Sequence, residues 1–153
     1  MTLLPAADQD RIPLGGGITV VSPPAASAGA YSLYRIDLPP RAGGARPHLH
    51  HGFVESFTVL SGTATLLDGA AWVAAGTGDH LVVPALQVHG FHNDTDEPAA
   101  LLMMSTPGAA REDYIRELLA VAGRELSEQE WTALYARHDQ VMVADPTRPP
   151  SPG

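Results

Sequence analysis

The sequence predicts an all-β domain, a small barrel or sandwich, closed by two short C-terminal α-helices. Three observations carry that expectation. Residues 1–107 hold short runs rich in β-branched, aromatic and leucine side chains, broken at close intervals by Gly, Pro, Asn and Asp. No helical pattern lies between these runs, which argues against a parallel α/β sheet. After Thr106-Pro107-Gly108 the apolar residues switch to a helical period.

In chain order, strands are expected over residues 18–22, 31–38, 55–60, 63–67, 71–74, 80–83, 88–93 and 99–106. The turn signals between them are Pro39-Pro40, Ser61-Gly62, Asp68-Gly69, Gly76-Thr77-Gly78 and Asn93-Asp94. A first helix is expected over 110–122, with Ile115, Leu118, Leu119 and Ala122 on one face and Gly123 as its stop. Glu112 and Asp113 in its first turn suit the positive end of the helix dipole. Ser127 and Glu130 form a capping box that opens a second helix, whose Trp131, Leu134, Tyr135 and His138 share a face. The expected organisation is a barrel over 1–107, a helical cap over 108–140 and a tail over 141–153. The last six residues, 148–153, are expected to be disordered.

Length and composition then exclude whole classes of chemistry. With 153 residues, 44% hydrophobic and 17% charged, the chain is long enough for one globular domain with a proper core. A net charge of -8 argues against nucleic acid or an acidic membrane as partner. All nine basic residues are Arg, so Schiff-base lysines and phosphate-loop lysines are absent. The lack of Cys removes thiolate nucleophiles, iron–sulfur clusters, cysteine zinc sites and disulfides. What remains is His, carboxylates, Tyr, Ser/Thr and any metal they hold. Residues 1–10 lack the pattern of a signal peptide and no apolar run is long enough for a membrane span, so a cytoplasmic protein is expected.

Six of the seven His fall between residues 48 and 92. His48 and His50, two apart, point to the same side of a strand. A hairpin at His51-Gly52 is expected to bring Glu55 back beside them, and His89 follows a strand end at Val82-Val83-Pro84. Three imidazoles and a carboxylate converging in an apolar barrel make a site for one divalent metal ion: Fe, Ni, Mn, Co, Zn or Cu.

The spacing also extends to glycines and a proline. The run His48-Leu49-His50-His51-Gly52-Phe53-Val54-Glu55 ends at Gly62, and a second block places Gly78, Pro84, His89 and Asn93 in order. These two blocks resemble the paired motifs of the cupin superfamily over about residues 30–107. The resemblance implies a cupin-type double-stranded β-helix or jelly roll, with His48, His50, Glu55 and His89 as metal ligands. It implies turns at Gly62, Gly78 and Pro84, a structural role for Asn93, and commonly a homodimer. Two positions depart from the pattern: the first motif's glycine falls on Ala42, beside Gly43 and Gly44, and a glycine after the proline is Leu86. The Pro39-Pro40 strand end and the helical tail also resemble the quercetin-dioxygenase-like branch of single-domain cupins.

Phe57 and Val59 share parity with Glu55 and are expected to line the substrate pocket, as is one of Met103 and Met104 on the last strand. His51, His80 and His92 are read as surface residues and His138 as a helix C-terminal or packing residue; Arg35, Arg41 and Arg46 offer charge for an anionic substrate near the mouth, but three Arg in fifty residues also read as ordinary surface charges. The implied function is dioxygenase-type oxidation of a small enolic or phenolic molecule, flavonol- or polyketide-like, with Glu55 as catalytic base. A metal-dependent cyclase or isomerase, or a binding module without turnover, uses the same site.

Overall fold

The computed structural model describes residues 1–147; the expectation for 148–153 lies outside the described residues. In chain order it contains β1 (Arg11–Ile12), β2 (Ile18–Ser22), β3 (Ser32–Leu38), β4 (Ala45–Leu49), β5 (Val54–Ser61) and β6 (Thr63–Leu67). There follow β7 (Trp72–Gly76), β8 (His80–Val83), β9 (His89–His92), β10 (Ala99–Thr106), α1 (Arg111–Val121), α2 (Glu128–Arg137) and β11 (Val141–Met142). The eight expected strands all form, with ends shifted by one or two residues.

Two antiparallel sheets make up the jelly roll. One has the strand order β1-β2-β3-β10-β5-β8, the other β11-β4-β9-β6-β7. The spine of the first sheet is β10, paired with β3 from Ala99↔Leu38 to Ser105↔Ser32 and with β5 from Ala100↔Ser61 to Thr106↔Val54. Strand alternation sends Tyr34, Ile36 and Leu38 of β3, Phe57 and Val59 of β5, and Leu101 and Met103 of β10 into the common core. Leu66 and Phe91 meet them from the second sheet.

Two strands, β1 and β11, lack a sequence signal and are two residues long; β4 is expected only from its histidines, since it carries Arg46 and Pro47 where a strand pattern would be apolar. Pairing with β9 and β11 makes β4 a strand, and its register with β9 shifts between Ala45 and His48, where Pro47 cannot donate to a ladder. The placement of 141–142 in a tail is therefore corrected: both residues pair with β4, Met142 opposite His48.

Glycine is required at two turns. Gly62, at φ 70°, joins β5 to β6, and a Cβ there would lie 2.3 Å from the Pro98 carbonyl oxygen. Ahead of β4, a Cβ on Gly44 would lie 2.2 Å from the Phe91 carbonyl oxygen. The close approach that excludes a side chain before the first histidine thus falls at Gly44, which leaves Ala42 tolerated. Leu86 adopts φ 69° with its side chain exposed, while its N–H donates to the His50 carbonyl at 2.7 Å. A branched residue pays a steric penalty in that conformation. Leu86→Gly is expected to raise stability by about 0.5–1 kcal/mol and the melting temperature by about 1–3 °C, with metal content unchanged. A lower melting temperature would show that the leucine side chain contributes more than its strain costs.

The helices pack over one end of the sandwich. The capping box forms: Ser127 Oγ accepts from the Glu130 N–H at 3.3 Å and the Glu130 carboxylate accepts from the Ser127 N–H at 2.8 Å. Gly123, at φ 79°, follows the end of α1. Arg111 and Ile115 of α1 and Leu134 of α2 are buried. No described helix is long and apolar enough to cross a membrane.

Candidate metal centre

His48 on β4 and His89 on β9 are direct cross-strand partners, so their side chains leave the same face of the second sheet. Their ring centroids are 4.2 Å apart, and His50, just past the end of β4, lies 4.8 Å from His48 and 5.2 Å from His89. Glu55 comes from the other sheet, where it pairs with Ser105 and Val83. The expected hairpin at His51-Gly52 is therefore corrected. The chain crosses between sheets there, and Glu55 reaches the histidines across the sandwich interior. All four side chains are 3% exposed or less, and one ligand atom from each lies within 4.8 Å of the others.

The hydrogen bonds set the imidazole tautomers. His48 Nδ1 donates to the Arg46 carbonyl at 2.7 Å, His50 Nδ1 to the Asp139 carbonyl at 2.5 Å and His89 Nδ1 to the Gln87 carbonyl at 3.0 Å. A carbonyl only accepts, so each neutral ring keeps its proton on Nδ1 and presents a lone pair at Nε2. His50 Nε2 is buried without a hydrogen-bond partner, 3.6 Å from Glu55 Oε2. His89 Nε2 lies 2.9 Å from the same carboxylate oxygen, which sets a lone pair against an anion. A cation resolves both defects. Ligands at about 2.0–2.2 Å from a common ion stand about 3–4.4 Å apart, so donor atoms within 4.8 Å of one another close on a divalent metal with shifts of about half an ångström.

Charge states agree with that role. Burial, followed by the neighbouring His89 and His50, pushes the His48 imidazole down to about 3, so it is neutral and ready to ligate at pH 7. For Glu55, burial opposes the charge, but hydrogen bonds from His50 and His89 when these carry an Nε2 proton, together with the nearby Arg111, outweigh it and hold the carboxyl well below the usual range; a bound cation takes the place of those protons.

The ligands open onto a cavity of about 350 Å³ between the sandwich and the helices. His48, Glu55 and Met103 lie in its wall, with Tyr114, Ile115 and Leu118 of α1 and Trp131 and Tyr135 of α2 opposite. Of the two methionines, Met103 faces in and Met104 lies half-buried on the other side of β10. Phe57 and Val59 sit in the core beneath the site and are not in the cavity wall; the Phe57 ring supports His89 at 5.9 Å. Their parity with Glu55 places them in the same interior, but the wall is completed by the helices.

The other histidines are committed elsewhere. His51 is exposed and bonded to Asp139, His80 to Thr58, His92 to Asp94 and His138 to Glu117. Asn93 anchors the loop after β9, donating to the Pro39 and Glu97 carbonyls and accepting from the Thr95 N–H and Oγ1.

Sequence reasoning missed Arg111, Tyr114 and Asp139. Arg111 is 6% exposed in the cavity wall. Its main-chain N–H donates to Tyr34 Oη at 3.0 Å, and Tyr34 in turn donates to Glu112, which ties the start of α1 to β3. The available signal was an arginine at the first position of a helix, where the dipole disfavours a cation. Burial pushes the Tyr114 phenol up to about 12, against the opposing charge of Arg111, so it stays protonated at neutral pH. Asp139, at φ 49°, gives its carbonyl to His50 and its carboxylate to the N–H groups of His51 and Gly52 at 2.7–3.0 Å.

Residues 34–105 match the family described as the cupin domain. No curated protein matches the sequence. Among solved structures, the chain is similar to the polyketide cyclase RemF from Streptomyces resistomycificus, at 19% identity over 70% of this chain and 80% of that one, with a TM-score of 0.58. A predicted oxalate decarboxylase from Thermotoga maritima is similar at 18% identity over 69% and 98%, with a TM-score of 0.60. A cupin-superfamily sugar phosphate isomerase from Silicibacter pomeroyi is similar at 24% identity over 69% and 75%, with a TM-score of 0.56. At these identities the likeness establishes the fold. Arg111, Tyr114 and Asp139 lie beyond the matched cupin domain, which explains why its two motifs do not reveal them.

Proposed function

We propose that this cupin is a metal-dependent enzyme that binds a small enolic or phenolic molecule through its oxygen and oxidises it in the manner of a dioxygenase. The observation that carries the reading is the buried His48, His50, Glu55 and His89 set, its Nε2 lone pairs bare, opening onto an apolar cavity. A divalent ion there supplies Lewis acidity, lowering the pKa of a hydroxyl group brought to it. The chain's own residues do the rest. Glu55, the carboxylate of the set, is placed to accept the hydroxyl proton. Ile36, Phe91, Ile115 and Leu118 exclude water and hold a flat apolar body.

Oxidation that draws its electrons from the substrate anion needs a single base, which Glu55 supplies; the other carboxylate in the cavity wall among the described residues, Asp37, is engaged by Arg11 at 2.7 Å and Arg35 at 2.8 Å. Isomerisation needs an acid as well, and the protonated Tyr114 phenol is the candidate. The second reading, a cyclase or isomerase using the Lewis acid without oxygen, draws support from the similarity to the polyketide cyclase and the sugar phosphate isomerase.

The test is elemental analysis of protein purified without a histidine tag, followed by oxygen uptake with flavonols and related enols. About one equivalent of iron, nickel, manganese or copper per chain, with oxygen consumed as substrate disappears, is the expected result. Zinc alone with conversion in the absence of oxygen would transfer the assignment to the second reading. No metal after reconstitution would sink both.

A further inference from the structure

The arginines divide sharply by location. Arg11, Arg35, Arg41, Arg116 and Arg137 each form an ion pair with a carboxylate. Arg111 and Arg46, which line the cavity, form none among the described residues, and the same holds only for the exposed Arg124. Arg111 is the anomaly, because it is 6% exposed. Its Nη1 donates to the His138 carbonyl at 2.9 Å and its Nη2 to Gln140 Oε1 at 2.7 Å, both neutral acceptors. Its guanidinium stacks over the Tyr114 ring at 4.5 Å and lies 5.7 Å from the Phe53 ring. These contacts orient the guanidinium without neutralising it.

A desolvated guanidinium without a counter-ion is costly unless the missing anion arrives with the ligand. Glu55 is near enough to feel the Arg111 charge but forms no ion pair with it, because its carboxylate is in contact with His89 and His50. A divalent ion at those imidazoles, beside one carboxylate and one guanidinium, leaves an excess of two positive charges in the cavity. Arg46, with only Tyr135 Oη at 3.4 Å, adds a third near the mouth. This cationic interior sits inside a chain of net charge -8.

We propose that Arg111 is the anchor of an anion subsite, and that the ligand of this cavity is a carboxylate with an apolar, ring-sized body. The planar fork of a guanidinium matches a carboxylate in two parallel hydrogen bonds. The rings of Tyr114 and Phe53 hold the fork in place before the ligand arrives, so little order is lost on binding. The carboxylate end then meets Arg111, while a hydroxyl or enol oxygen on the same molecule reaches the histidine side of the cavity. Contact of the hydroxyl with the histidines rests on the metal-centre reading; contact of the carboxylate with Arg111 does not.

The experiment is calorimetric titration with 2-hydroxybenzoate and its neutral analogue 2-hydroxybenzamide, on zinc-loaded and on metal-free protein. Wild type is expected to bind the acid at least tenfold more tightly than the amide in the zinc-loaded form. Arg111→Gln is expected to abolish that preference by weakening the acid tenfold or more, with the amide within twofold. Arg111→Lys keeps the charge and is expected to restore part of the preference, which guards against an effect of folding alone; zinc content and melting temperature are measured for both variants. Persistence of the preference in metal-free wild type supports the subsite even if the protein proves to bind no metal. Equal affinity for acid and amide, binding of neither, or equal losses for both in Arg111→Gln overturns the proposal.

Discussion

Glu55→Gln is expected to abolish metal binding and, at the same time, to make the metal-free protein more stable. The carboxylate oxygen of Glu55 lies 2.9 Å from His89 Nε2 and 3.6 Å from His50 Nε2, and both nitrogens carry lone pairs once their Nδ1 protons are committed to carbonyls. Without a cation this is a buried negative charge facing acceptors. A glutamine amide of the same shape removes the charge and offers N–H donors to the same nitrogens. The expected gain is about 1–2 kcal/mol in the metal-free state, or about 2–8 °C in melting temperature. Metal content, by elemental analysis, is expected to fall from about one equivalent to below about a tenth, and His50→Ala is expected to lose metal likewise. Opposite signs on the two readouts are the signature of a site built for a cation. Retention of full metal in both variants would remove Glu55 and His50 from the ligand set, and a less stable metal-free Glu55→Gln protein would show the carboxylate to be a structural acceptor.

The second large effect is expected from a residue that touches no metal. Asp139→Ala removes the acceptor of the His51 and Gly52 N–H groups, at 3.0, 2.9 and 2.7 Å. It also frees the strap whose carbonyl fixes the His50 ring. Burial opposes the Asp139 charge, but the hydrogen bonds from His51 and Gly52 outweigh it and lower its pKa, which marks how firmly the carboxylate is held. Loss of these bonds is expected to cost about 1–3 kcal/mol of stability and to weaken metal affinity about 10- to 100-fold by releasing the outer partner of a ligating histidine. Chelator competition measures the affinity. An unchanged metal affinity alongside reduced stability would show that His50 is positioned by its own strand end and by the stacked Phe53 ring, 4.4 Å away.

These two residues mark the boundary of what could be read without coordinates. Glu55 was legible because a ligand set has a chemical pattern, His-x-His followed by Glu and a later His, and because strand parity and glycine positions recur with it. The route by which Glu55 reaches the histidines was not legible. Local pattern describes a hairpin and a sheet crossing in the same way, since both need only a turn at His51-Gly52, and pairing with Ser105 and Val83 decides between them. Asp139 left no trace, because an aspartate after a helix is ordinary until its carbonyl is seen against His50.

By itself the sequence determined the order of eight strands and two helices, the absence of thiol and lysine chemistry, and the four candidate metal ligands. Those properties are carried by side-chain type and by periods of two and of 3.6 residues, which act over a few positions. Only the tertiary structure decided which sheet each ligand belongs to, which methionine faces the cavity, and that Tyr114, Trp131 and Tyr135 of the helical segment complete its wall. Above all, it decided that Arg111 faces inward without forming an ion pair among the described residues, because burial and charge pairing depend on segments far apart in the chain, here α1 against the 138–142 strap.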